Sequence, residues 1–156
     1  MNSLVVYHSY SGNTEEVAEI LGKGLENEGS NVQLYDIESF NQPIPNMEKY
    51  DLILFGTFTW DYGCTPDEVK DFILDVGYKP KNVEVFGTGD TQFGGDEMYC
   101  KAVDKLATFF NSEQEGLKIE QSPRGRQELE VRDWLDKVLQ VKGYKEIQHI
   151  ARRGVA

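Results

Sequence analysis

Ser9-Tyr10-Ser11-Gly12-Asn13-Thr14 decides how the rest of the chain is read. The hexamer follows an apolar run, Leu4-Val5-Val6-Tyr7, that has the look of a strand. It precedes a helical pattern with Val17, Ile20, Leu21 and Leu25 on one face. Strand, hydroxyl-rich turn and helix start therefore stand in succession. Such a turn aims backbone N–H groups and hydroxyls at one point, with the positive end of a helix dipole behind them. That is a cradle for a phosphate. It holds no Lys or Arg, which suits a monophosphate held by neutral donors. A nucleoside triphosphate calls for a lysine and a magnesium ligand, and no G-x-x-x-x-G-K-[ST] occurs in the chain. An ordinary capped helix after a strand is the plainer explanation, since Ser and Asn are common caps.

Outward from this turn, strand and helix alternate. Strands are expected at Leu4–Tyr7, Val32–Asp36, Leu52–Thr57, Val83–Thr88 and Leu117–Glu120. Helices are expected at Thr14–Glu28, Asp67–Val76, Met98–Asn111 and Arg126–Val141. The third strand, Leu52-Ile53-Leu54-Phe55, is apolar throughout, as a strand buried on both faces must be. The helices space their apolar residues at helical intervals: Val69, Phe72, Ile73 and Val76 in the second, Val131, Trp134, Leu135 and Val138 in the last. This alternation predicts a single α/β domain: a doubly wound, five-stranded parallel sheet with helices on both faces. Its 156 residues suit one domain.

Composition removes several classes. No apolar run reaches the ~18 residues of a membrane span. The sequence opens directly on the first strand, so no signal peptide is expected, and a cytoplasmic location with it. Cys64 and Cys100 lie far apart, fit no metal spacing and read as reduced thiols. With only His8 and His149, no histidine-rich metal site is expected. His8 reads as a packed or hydrogen-bonded residue at a strand end. The protein is acidic, with a formal net charge of −11. Lys142, Lys145, Arg152 and Arg153 against Glu146 give residues 142–156 a charge of +3 and leave −14 on residues 1–141. The expected division is a domain over 1–141 and a basic tail over 142–156. The acidic body speaks against nucleic acid and anionic membrane, and for basic protein partners.

In open α/β sheets the ligand lies beyond the carboxyl ends of the strands. Two further loops should meet the phosphate turn there: Gly56-Thr57-Phe58-Thr59-Trp60-Asp61-Tyr62-Gly63-Cys64, and Gly87-Thr88-Gly89-Asp90-Thr91-Gln92-Phe93-Gly94-Gly95-Asp96. Each sets an aromatic residue among small, polar ones. Rings from two loops can sandwich a flat ligand, and the glycines let backbone approach its edge. A flat ring system with a monophosphate tail points to FMN. Core packing of Trp60 and Phe93 is the competing explanation.

With these segments in place the chain resembles a flavodoxin, over nearly its whole length. The first loop matches the family's [ST]-x-[ST]-G-N-T turn. Gly-Thr-Phe-Thr-Trp is similar to its second, flavin-stacking loop. Gly87-Thr88-Gly89-Asp90-Thr91 is similar to its third, and Cys100-Lys101-Ala102-Val103-Asp104 to its C-x-A-V-D stretch. The direct run from the fifth strand into the last helix is that of the short-chain branch. The resemblance implies the strand order 2-1-3-4-5 and FMN bound without covalent attachment. It implies that Ser9, Ser11, Asn13 and Thr14, with backbone N–H groups from Tyr10 through Gly12 to Thr14, hold the phosphate. Trp60 and Phe93 would stack on the two ring faces. Backbone of Thr57, Phe58, Thr59, Asp61, Tyr62 and Gly63, and of Thr88, Gly89 and Asp90, would edge the ring and ribityl chain. The implied role is a low-potential one-electron carrier between a flavoprotein reductase and acceptor proteins, a monomer and not an enzyme. The alternatives are a flavin-dependent reductase of the same fold and a ribonucleotide-reductase activating flavoprotein. A response-regulator receiver is set aside, because the acidic pair after the first strand is absent: His8-Ser9 stands there.

Three positions depart from the family pattern. Asp61 follows the stacking Trp, where Gly is usual. Phe93 replaces the usual Tyr. The segment through Gly94-Gly95-Asp96 is a few residues longer.

Overall fold

The computed structural model describes residues 1–39, 42–59, 63–90 and 99–145. Five parallel strands form one sheet in the order β2-β1-β3-β4-β5. They are β1 (Asn2–Tyr7), β2 (Asn31–Asp36), β3 (Leu52–Phe58), β4 (Val83–Gly89) and β5 (Leu117–Glu120). The helices are α1 (Asn13–Asn27), α2 (Asp67–Val76), α3 (Lys101–Phe110) and α4 (Arg126–Val141). The architecture and strand order are those expected from the sequence. The alternation also left out one short element, a 3-10 turn at Met47–Lys49. Its Asn46 side chain accepts the Glu48 N–H, so three residues of local capping suffice and no periodic signal arises.

Side-chain alternation along the strands splits the core into two layers. Val5, Tyr7, Leu52 and Leu54 pack with Val17, Leu21 and Leu25 of α1 and Val131, Trp134, Leu135 and Val138 of α4. Leu4, Val6, Ile53 and Phe55 face the other way, onto Val69 and Phe72 of α2 and Val103, Leu106 and Phe110 of α3. Because period-2 alternation feeds both layers, the runs Leu4 to Tyr7 in β1 and Leu52 to Phe55 in β3 must be apolar at every position. Gly56 shows how tightly the first layer is drawn in: a Cβ there would lie 2.3 Å from the ring of Phe86, which packs with Val5 and Leu54. Register pairs Val5 with Leu54 and Phe55 with Val85, so β1, β3 and β4 end at one level. All three loops expected to build the site leave the sheet from that level.

The opening residues of the expected basic tail are held by the body. Lys142 caps the end of α4, and its Nζ lies 3.0 Å from the Glu84 carboxylate, which is fully buried. Lys145 Nζ reaches Glu28 at 3.0 Å and Asp136 at 2.9 Å. Two of the tail's four cations are therefore matched by body carboxylates. Residues 146–156 lie outside the described residues.

Candidate FMN site

The turn after β1 is shaped by Gly12. Its φ of +93° is a left-handed conformation that glycine adopts at least cost, and a Cβ there would meet nothing within 4 Å. The demand is on the backbone alone, and it swings the chain from β1 into α1. Ser9 fixes the swing. Its Oγ accepts the N–H of Gly12 at 3.1 Å and that of Glu15 at 3.2 Å. The Gly12 N–H is thereby taken inside the turn, contrary to the expectation that every N–H from Tyr10 to Thr14 faces a phosphate. Gly12 serves by its conformation instead. The backbone N–H groups of Ser11, Asn13 and Thr14 have no acceptor among the described residues. Asn13 and Thr14 begin α1, where first-turn N–H groups have no partner within the helix. Three donors without acceptors thus stand at a helix N-terminus, and neither Lys nor Arg stands in the turn.

The other loops close on this turn through hydroxyls. Thr14 Oγ1 and Thr88 Oγ1 share a hydrogen bond of 2.8 Å, and both side chains are buried. Thr59 N–H donates to the Thr88 carbonyl at 3.1 Å, joining the β3 and β4 loops. Thr59 Oγ1 accepts the Ala102 N–H at 3.1 Å, so this side chain is spent on the start of α3. Thr57 is buried, with its Oγ1 donating to the Phe58 carbonyl. Phe58 is half-buried, its ring 5.0 Å from the His8 ring and 6.2 Å from that of Tyr10. It braces the phosphate turn from below. Gly63 is buried at φ +86°, and its carbonyl accepts Lys105 Nζ at 3.0 Å.

In the third loop Gly89 lies against α3: a Cβ would come within 3.0 Å of the Cys100 nitrogen and sulfur. Its carbonyl accepts the Gln121 N–H at 2.7 Å, and Asp90 Oδ2 accepts Gln121 Nε2 at 3.2 Å. Cys100 itself is buried, Sγ 4.0 Å from the Gly87 carbonyl oxygen. Burial pushes its thiol up to about 12, so it is packing and not a reactive group. Burial, followed by Glu15, likewise raises the Tyr7 phenol to about 12.

Among the expected site residues, Ser9 to Thr14, Thr57 to Thr59, Gly63 and Thr88 to Asp90 are thus brought to one end of the sheet. Trp60, Asp61, Tyr62 and Phe93 lie outside the described residues. Sequence reading missed Lys105, whose Nζ holds the Gly63 carbonyl of the second loop, and Gln121, whose Nε2 holds the Asp90 carboxylate of the third. They sit 42 and 31 residues from the groups they bind, and no local pattern joins them. His8 was expected to be packed or hydrogen-bonded. It is packed, only 2% exposed, but its Nδ1 makes no hydrogen bond among the described residues.

The donors present fit FMN. Three N–H groups without acceptors suit a phosphate, and loops from β3 and β4 are tied beside them where a ribityl chain and ring would run. Comparisons with known proteins agree. The family model for flavodoxins matches residues 5–134. A probable flavodoxin 2 of Bacillus subtilis is 34% identical over 82% of this chain and 87% of its own length. The oxidised Flavodoxin 1 of Bacillus cereus superposes with a TM-score of 0.78 at 26% identity, over 90% of this chain and 98% of that one. A short-chain flavodoxin associated with a non-canonical PDU bacterial microcompartment gives 0.79 at 25% identity, over 91% and 99%. A neutral phosphate turn, two partner loops at the same sheet end and this breadth of similarity lead to one conclusion: the chain belongs to the flavodoxin family, the FMN-binding proteins that carry electrons.

Proposed function

We propose that this chain is a low-potential, monomeric, cytoplasmic carrier that takes electrons one at a time from a basic flavoprotein reductase and passes them to acceptor proteins. FMN supplies the redox chemistry when bound. Ser11, Asn13 and Thr14 would donate their N–H groups to its phosphate, with the Ser9, Ser11 and Thr14 hydroxyls and the Asn13 amide around them. Trp60 and Phe93 would cover the ring faces and exclude water. Backbone of Thr57–Gly63 and Thr88–Asp90 would run along the ring edge and ribityl chain.

The observation that carries the reading is the charge around that end of the sheet. Glu15 and Glu16 stand in the first turn of α1, Asp67 and Glu68 in the first turn of α2, and Asp90 follows β4. Negative charge close to a cofactor that must itself become more negative makes each added electron costly and the reduced carrier a strong donor. The same charge would draw a basic partner to the ring edge.

The test is the rate of reduction by a basic flavoprotein reductase across a salt series. The rate should be fast at low salt and fall steeply as ions screen the charges. Reversal of Asp67 and Glu68 together should slow the encounter with FMN affinity nearly unchanged. A rate indifferent to salt and to these reversals would leave the acidic surface with solubility as its only role.

A further inference from the structure

His8, Glu38 and Glu68 form a cluster that electron transfer does not use. Among the described residues it is the group whose donor atoms could share a metal ion. His8 ends the run out of β1, Glu38 follows β2, and Glu68 lies in the first turn of α2. Glu38 Oε1 stands 3.8 Å from His8 Nδ1, and Glu68 Oε2 3.6 Å from His8 Nε2. One donor atom from each residue lies within 4.8 Å of the other two.

Two observations separate this cluster from a chance meeting of acids. The imidazole is 2% exposed, and its buried Nδ1 has no hydrogen-bond partner among the described residues although it faces the Glu38 carboxylate. A buried ring nitrogen without a partner is costly, so something is expected to satisfy it. The two glutamates are about half exposed, 50% and 56%, and could turn their like charges apart into solvent. They converge on the histidine instead, at separations too long for hydrogen bonds.

We infer that His8, Glu38 and Glu68 form a divalent transition-metal site, of which zinc is the best-suited occupant, beside the phosphate turn. One imidazole nitrogen and two carboxylate oxygens are a donor set that zinc accepts, with water in the fourth position. Bonds of about 2.0–2.2 Å require the three donors to draw in by roughly an ångström. The half-exposed glutamate side chains can make that movement while the buried ring stays in place.

The test is zinc titration of the FMN-loaded full chain by calorimetry, so that the cofactor phosphate is not open to the metal. The wild type should bind one zinc ion per chain. Glu38→Gln and Glu68→Gln should each weaken binding roughly tenfold or more. Asp75→Asn, two turns further along α2 and exposed, should bind as the wild type does. Both glutamates face solvent, so neither variant endangers the fold. Zinc should also raise the melting temperature of the wild type and leave that of Glu68→Gln nearly unmoved. Absence of a one-to-one site, or either glutamate variant binding zinc as tightly as the wild type, would overturn the inference.

Discussion

The two ends of the sheet treat polar groups in opposite ways. At the end where the strands begin, every buried polar side chain among the described residues is matched within the protein. Glu84 near the start of β4 is fully buried and accepts the N–H groups of Glu113 and Gln114 at 3.1 and 2.8 Å, with Lys142 Nζ at 3.0 Å. Ser3 and Ser30 bond each other at 2.7 Å, and Ser112 donates to the Val83 carbonyl at 2.7 Å. At the end where the strands finish, the Ser11, Asn13 and Thr14 N–H groups and His8 Nδ1 have no acceptor among the described residues. One end holds the fold together, and the other keeps donors available for a ligand. Local rules are broken at the functional end, as expected where stability is given up for binding.

The comparison is broken most forcefully at the closed end. Lys142→Met should destabilise the protein by about 3 kcal/mol or more, because it leaves the Glu84 charge buried with only two N–H partners. FMN affinity of the folded protein should hardly change. Urea unfolding followed by far-UV dichroism measures the first, and flavin titration the second. A loss of affinity without a loss of stability would mean the two ends are not separate.

At the open end the expected signs reverse. Ser9→Ala removes the acceptor for the Gly12 and Glu15 N–H groups and should cost about 1 kcal/mol of stability. It should lower FMN affinity further than that figure alone explains, because the turn would lose its shape. Gly12→Ala should act the same way through backbone strain of about 1 kcal/mol. Isothermal titration of both variants with FMN compares them. Thr14→Val and Thr88→Val should each cost about 1 kcal/mol, while the double variant should cost less than their sum, since neither hydroxyl is then left without its partner.

The smallest effect concerns the two thiols. Cys64 is exposed and Cys100 is buried. A thiol reagent at pH 8 should titrate one cysteine quickly and the second only on unfolding. The Cys100 thiol is raised in the folded state from its ordinary value of 9.0 to about 12. Its contribution to stability is full below pH 9 and is lost as pH climbs from there to about 12, because the unfolded chain releases the proton first. Replacing Cys100 with Ala should flatten that part of the stability profile.

The sheet was legible because its rule is local. Leu52-Ile53-Leu54-Phe55 reads as a strand buried on both faces, and Val131, Trp134, Leu135 and Val138 read as one face of a helix, and so they pack. The turn from Ser9 to Thr14 was legible as a strand-to-helix turn for the same reason, as six consecutive residues between two such patterns. What the sequence hid is long-range. Nothing near Glu84 points to Lys142, and nothing near His8 points to Glu38 or Glu68. Nor could it show that Ser9 takes the Gly12 N–H for itself, which depends on the angle at which β1 meets α1. The lysines that open the basic stretch read as a solvated tail, because burial of a charge shows only when its partner is seen.

The turn from Ser9 to Thr14 is proposed to bind the phosphate of FMN with neutral donors. Its most direct test is the ratio of FMN to riboflavin affinity in the apoprotein at fixed salt. Three N–H groups aimed at an anion, each contributing about 1–1.5 kcal/mol, predict FMN binding tighter by roughly a hundredfold or more. Equal affinity for the two flavins would contradict the account, because a cradle that gains nothing from its anion is only the start of a helix.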